Sequence, residues 1–340
     1  MSLSKGEETF SSEKLFSNFY SKNIVLIFCF CFPGFKRLMQ GEGALKNTVL
    51  TALAEAIGTS ILVFVGCMGC IGSLGVVPSH LQIALTFGLA VMLVIQVSGP
   101  RFTLSLYATV PKLRSNSNCI GVEFLLKLLI DLLQSIGHIS HAHINPAITV
   151  GSVVLGKKTI PEGLVYLLSQ MIGSVIGYGM LKVVTPADRL TSKSTIEADM
   201  FCVTDLHADL TAIQGLLLEG ISTGILMLVA CAVWDRRNEH NTDSVPIRFG
   251  FTVTVLALAF GPYTGCSMNP ARSLAPALWN NQWSHHWIYW FGPIGGSLLS
   301  SFMYKTIFGL KDLAEEATVP ETVALNSVET QKAEVGLAMP

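Results

Sequence analysis

Charge is scarce in this 340-residue chain. Asp, Glu, Lys and Arg make up 13% of it, the net charge is −1, and half of the residues are apolar. With no basic excess, a nucleic-acid surface is excluded as a leading reading. A mean hydropathy of +0.53 points instead to a membrane protein. No nucleophile elbow and no Gly-rich phosphate loop occur, so nothing supports an enzyme, and no catalytic residue or cofactor is expected. No two Cys-x-x-Cys pairs stand at zinc spacing. The eight cysteines are scattered through apolar runs and read as packing residues rather than as a disulfide framework or a metal site.

Long apolar stretches are plentiful. Six approach or exceed the length needed to cross a bilayer, allowing for tilt: residues 49–71, 81–96, 162–184, 212–234, 245–262 and 286–310. If the two termini share a side, Lys36, Arg37, Lys46, Lys157, Lys158, Arg236, Arg237, Arg248, Lys305 and Lys311 all fall on it. Only Lys182, Arg189 and Lys193 fall opposite. The positive-inside rule then puts both termini in the cytosol.

Within this apolar background Asn-Pro-Ala occurs twice, as Asn145-Pro146-Ala147 and Asn269-Pro270-Ala271. Proline is well tolerated in the first turn of a helix, where its missing N–H would be unpaired anyway, and a preceding Asn can cap that turn. Each copy therefore predicts the start of a short helix. Two buried helix starts, each carrying an amide side chain, make a polar site inside lipid, and such a site marks a solute path.

The chain also repeats itself. The run from Ala54 to Cys67 matches the run from Leu218 to Cys231, with Glu55 aligned to Glu219, and Phe87-Gly88 matches Phe249-Gly250. Each half then holds three spans and one Asn-Pro-Ala half-helix. An odd number of spans reverses direction, so the halves form an inverted repeat with the site at their interface. One spacing breaks the symmetry. Phe249 precedes Asn269 by 20 positions, whereas Phe87 precedes Asn145 by 58, an excess of 38 in the first half. Residues 97–134 account for it and read as a translated retained intron. Val97-Ser98 is encodable by a splice-donor sequence and Gln134 by an acceptor ending. The Phe/Leu/Ile-rich run before Gln134 is compatible with a pyrimidine tract. Removing these residues keeps the frame and restores the repeat spacing. The plainer reading is a genuine amphipathic insertion in a cytosolic loop. A separate alternative is that the chain carrying the segment is inactive, because the segment lengthens the tether of the first half-helix and adds charged Glu123, Lys127 and Asp131 nearby.

These landmarks resemble the aquaporin, or major intrinsic protein, family. They are Glu55, Gly137-His138-Ile139-Ser140 ahead of the first Asn-Pro-Ala, Glu219, and Thr264 to Ser273 around the second. The resemblance covers residues 46–310 apart from 97–134. It implies an all-α integral membrane hourglass of six transmembrane helices and two re-entrant half-helices, one pore per subunit in a homotetramer. Residues 1–45 and 311–340 are then cytosolic tails, the latter polar and disordered in composition. The ten-residue apolar run from Asn23 to Phe32 is too short to span.

The resemblance also implies site residues. Asn145 and Asn269 donate to the passing solute at the pore centre, where each half-helix N-terminus presents about half a positive charge that repels cations and protons. Arg272 forms the narrow constriction with Phe87, Ala257 and Cys266. Glu55 and Glu219, with help from Gln170, hold the re-entrant loops. Strict water channels of the family carry His where this chain has Ala257. Alanine leaves a wider, more apolar wall opposite Arg272, suited to glycerol and urea. Ser273, Ala277 and the Tyr289-Trp290 pair are of the water-channel type instead, a mixture similar to insect glycerol-permeable members. The expected function is passive passage of water, glycerol and urea across the cell membrane. The alternatives are a water-selective channel, an ion-conducting member and a structural membrane protein without flow. His138, His141 and His143 stand in a His-x-x-His-x-His pattern that reads as part of the loop rather than as a metal site. His141 occupies a position where the family favours Gly.

Overall fold

The computed structural model describes residues 42–71, 78–97, 140–185 and 202–309, and every regular element among them is helical. The elements are α1 (Glu42–Met68), α2 (His80–Val97), α3 (Pro146–Val154), α4 (Ile160–Val184), α5 (Ala212–Trp234), α6 (Val245–Thr264), α7 (Pro270–Asn280) and α8 (Ile288–Met303). A π-helical turn at Tyr304–Phe308 extends α8. Helices α3 and α7 are the two half-helices, and the other six are the spans. The position 97 end of the sequence anomaly closes α2, while 98–134 lies outside the described residues, as do residues 1–41 and the tail from 311 on; residues 42–45, expected in the N-terminal tail, open α1.

The spans begin and end close to the apolar limits, and the differences have local causes. α4 starts at Ile160 rather than at 162 because Thr159 and Glu162 form a capping box, each side chain accepting from the other's backbone N–H. Thr211 and Gln214 do the same ahead of α5. α6 runs to Thr264, past Pro262, and stops where Gly265 adopts φ 75°. That left-handed conformation suits Gly as a helix stop. α1 begins well before the apolar stretch because Ala44 and Leu45 are strong helix formers although their surroundings are polar.

Packing follows the inverted repeat. α1 packs on α4 in the first half as α5 packs on α8 in the second, and α2 meets α6 across the interface. The first pair approaches to backbone contact at Gly173, where an added Cβ would collide with the Ala56 carbonyl. The second does so at Gly296 against the Gly220 carbonyl. Without hydrophobic drive between helices in lipid, such small-residue contacts supply the van der Waals packing that holds spans together. Large apolar side chains such as Leu89, Ile172, Ile221 and Phe251 point outward, forming an apolar periphery. Polar side chains including Glu55, Gln170 and Glu219 are buried. This inside-out distribution is that of a protein solvated by lipid and organised around a polar interior.

Candidate functional site

Each half-helix is held by a buried carboxylate. Glu55, on α1, accepts the backbone N–H of His143 at 2.9 Å through one oxygen and that of Ile144 at 2.8 Å through the other. Gln170, on α4, donates to the same carboxylate at 2.7 Å and to the Thr149 hydroxyl at 2.9 Å. Glu219, on α5, accepts the backbone N–H groups of Ser267 and Met268, both at 2.9 Å, and the Thr264 hydroxyl at 2.6 Å. Both carboxylates thus accept consecutive N–H groups just ahead of an Asn-Pro-Ala.

These bonds hold backbone in a costly conformation. Ala142 and Ile144 in the first loop, and Cys266 and Met268 in the second, all have φ between 45° and 52°. Non-Gly residues rarely adopt such angles, a branched Ile least of all, and each costs about 1–3 kcal/mol. Hydrogen bonds to a charged acceptor contribute about 1.5–3 kcal/mol apiece and offset that cost. The strained chain brings each loop to the helix start that follows it. There Asn145 Oδ1 caps Ala147 N–H at 2.9 Å, and Asn269 Oδ1 accepts from Ala271 at 3.0 Å and Arg272 at 3.3 Å.

The two Asn side chains also lock the halves together. Asn145 Nδ2 donates to the Met268 carbonyl at 2.7 Å, and Asn269 Nδ2 donates to the Ile144 carbonyl at 2.8 Å. A primary amide has two N–H donors, so each Asn retains one more beside the cavity that both line. The positive ends of α3 and α7 therefore converge on this point with two spare donors, an arrangement that binds a neutral hydroxyl or water oxygen and opposes cations.

The cavity measures about 430 Å³, and its wall includes Phe87, Asn145, Ala257, Cys266, Asn269 and Arg272. The structure thus gathers onto one surface all six residues that the family resemblance implied for the pore centre and constriction. The Arg272 guanidinium lies 4.7 Å from the Phe87 ring centroid and donates to the Cys202 carbonyl at 2.9 Å. Cys266 Sγ sits 3.3 Å from the Leu256 carbonyl. Pro146, Ala147, Pro270 and Ala271 are buried in the first turns of α3 and α7, where they shape the half-helices. Ser273 is fully buried, bonded to Ser267 and Thr204 hydroxyls.

Several participants escaped the sequence reading. Ser297 on α8 donates to the Ala147 carbonyl at 2.6 Å, and the Tyr166 hydroxyl donates to the Ser140 carbonyl at 2.8 Å. Neither belongs to a local motif. The reading of the cysteines as packing residues is corrected: Cys67 and Cys202 form a disulfide, and Cys70 Sγ lies 3.7 Å from Cys202 Sγ. The bond joins residues 135 apart in sequence, invisible to any count of local spacing. Cys231 and Cys266 are buried free thiols. His143 packs between Tyr166 and Trp234, with Nδ1 3.2 Å from the Thr149 hydroxyl, and His141 lines the cavity. His138 lies outside the described residues.

Comparison with known proteins places this architecture. The Major intrinsic protein family model matches residues 44–304. Aquaporin-4 of Mus musculus is 38% identical over 192 residues, covering 56% of this chain and 55% of that protein. The chain thus spans about half the length of that relative. Aquaporin-2 of Homo sapiens is 33% identical over 268 residues, covering 78% of this chain and 82% of its own. Among solved structures, the aquaglyceroporin from Plasmodium falciparum superimposes with a TM-score of 0.58 at 20% identity, covering 77% of this chain and 97% of that one. At that identity the likeness speaks for the fold. With the family match spanning most of the chain, the protein belongs to the major intrinsic protein family, whose members are aquaporin-type membrane channels and not enzymes.

Proposed function

We propose that the chain is a passive channel for water and small uncharged solutes, with glycerol and urea among them, in the cell membrane. Both termini face the cytosol in this reading, four copies assemble, and each carries its own pore through the bilayer. The observation that carries the solute range is Ala257. It stands in the same cavity wall as Arg272 and Phe87, where a small apolar side chain leaves room for a carbon skeleton. Arg272 and the spare Asn145 and Asn269 donors serve the hydroxyls. The solved structure that shares this fold is that of an aquaglyceroporin, which is compatible with that range.

A second reading, a water-selective pore, is favoured by His80. Its ring packs against Gly261, one helical turn from Ala257, with Nε2 3.2 Å from the Leu258 carbonyl, and it lines the same cavity. An imidazole thereby stands near the wall that Ala257 leaves open. Swelling of oocytes or vesicles in glycerol and in water decides between the two. It is measured with the full chain and with the chain lacking 97–134. Rapid swelling in both solutes supports the wider pore. Swelling by water alone supports the narrow one. No flow in the full chain, with flow restored by the deletion, assigns the inactivity to residues 97–134.

A further inference from the structure

The cysteines beside Arg272 carry chemistry that permeation does not use. Cys67 is fully buried near the end of α1, and its partner Cys202 is 8% exposed in the segment leading to α5. The backbone carbonyl of Cys202 is also the acceptor that holds Arg272 Nη1, and Arg272 Nη2 lies 3.7 Å from the Cys202 sulfur. On the other side of Cys67, its neighbour Gly66 leaves space filled by the Phe87 ring; a Cβ at 66 would collide with it. One covalent bond therefore ties the helix segment that seats Phe87 to the loop carbonyl that seats Arg272. A third sulfur, Cys70, is a free, partly exposed thiol on the cavity wall, 3.7 Å from Cys202 Sγ.

We propose that Cys67, Cys70 and Cys202 form a thiol–disulfide switch that positions Arg272 and so sets the solute range of the channel, an inference that rests on the permeation reading above. Two steps are open to it. In the first, the Cys70 thiolate attacks Cys202 Sγ. The Cys70–Cys202 bond forms, the Cys67–Cys202 bond breaks, and Cys67 leaves as a thiolate that takes up the proton Cys70 gave. No electrons are gained or lost. In the second, an external dithiol supplies two electrons. One of its thiolates attacks Cys202 Sγ and expels Cys67. Its second thiol then displaces Cys202 as the reagent closes to its own disulfide, leaving two protein thiols. In the second step the Cys202 thiolate that leaves is stabilised by the adjacent guanidinium. Both steps loosen the Cys202 carbonyl from its place, and Arg272 then turns into the lumen.

The test uses the full chain, with the chain lacking 97–134 beside it, in sealed vesicles, with glycerol and water swelling measured before and after dithiothreitol, and again after reoxidation. Alkylation and peptide mapping follow the three thiols. Loss of a charge-assisted hydrogen bond to Arg272 is expected to lower the glycerol-to-water ratio by at least about threefold, reversibly. Cys67→Ser/Cys202→Ser is expected to show the low ratio without reductant and no response to it. Cys70→Ser retains the bond and the response to dithiothreitol but loses the alternative Cys70–Cys202 pairing in the map. An unchanged ratio, with mapping that shows the disulfide opened, overturns the switch while leaving the channel standing. Free Cys67 and Cys202 in the untreated protein overturn it as well. Absence of any swelling in every state overturns the permeation reading and the switch with it.

Discussion

The Arg272 guanidinium faces the Phe87 ring at 4.7 Å, joining the second half of the repeat to the first inside the cavity. Phe87 sits on α2 and Arg272 at the start of α7, so the contact exists only when both halves are docked. A desolvated cation over an aromatic face contributes up to about 2 kcal/mol. The ring also fills the gap beside Gly66 on α1, so its position is set by packing as well as by charge.

The wall at Ala257 should control which solutes pass that contact. Ala257→His adds a polar ring to the cavity that Arg272 and Phe87 already narrow. Glycerol uptake is expected to fall at least about tenfold, the scale on which a filled pocket rejects a larger molecule. Water flow should change little. Paired swelling assays on the same membranes check this, and unchanged glycerol uptake would remove Ala257 from the determinants of solute range.

The two loop carboxylates should matter equally, because their environments repeat. Glu55→Gln or Glu219→Gln puts an NH2 group against one of two backbone N–H donors. A buried donor left unsatisfied costs about 1–3 kcal/mol. On a protein of this size the thermal midpoint should drop by roughly 1–4 °C. Unfolding in detergent, followed by tryptophan fluorescence, measures it for each variant. A drop in one variant but not the other would show that the halves are unequally clamped.

Much of this site could be read from the chain because it is written in short motifs. Asn-Pro-Ala marks α3 and α7 through local capping chemistry, and the repeated Glu at 55 and 219 marks both clamps. The spans followed from apolar length, with errors of a few residues where Thr159 or Gly265 decided the boundary. What was not legible depends on tertiary distance. The donation of Asn145 to Met268 crosses 123 positions, and that of Ser297 to Ala147 crosses 150. The Cys67–Cys202 bond was not legible because its partners stand 135 positions apart; the local Cys67-Met68-Gly69-Cys70 spacing says nothing of Cys202, and apolar surroundings favour the packing interpretation.

Cys266 offers a chemical probe of the constriction. Its thiol lies buried on the cavity wall, against the Leu256 carbonyl and close in sequence to Asn269. A small mercurial that reaches it adds a heavy atom to the cavity wall shared with Arg272 and Ala257. Water flow through the native channel should be blocked and then restored by excess thiol. Cys266→Ser preserves a donor for Leu256 and should lose most of that block. Any block that remains reports on Cys70, the other thiol on this wall. Full sensitivity of the serine variant would place the blocking site away from residue 266.

At the opposite end of α5, Asp235 gives the fold a pH-dependent latch. Its carboxylate accepts from Arg237 Nε at 2.8 Å, from the Arg237 backbone N–H at 2.9 Å and from the Tyr304 hydroxyl at 2.8 Å. The side-chain bond to Arg237 is the main reason the Asp235 carboxyl is held well below the usual carboxylate range, against the opposing effect of burial. A depressed folded-state value contributes stability that is complete above the unfolded carboxyl's titration, near pH 4, and disappears as pH falls through the folded value. Asp235→Asn removes the charge while keeping the shape. The variant should therefore unfold at a lower temperature than the native protein between about pH 7 and pH 5, and the gap should close as pH drops below about 4. Thermal midpoints across that series, in detergent or in nanodiscs, provide the measurement. A gap that stays constant down to the lowest pH would mean that packing of Tyr304, not the ionised carboxylate, secures the end of α8.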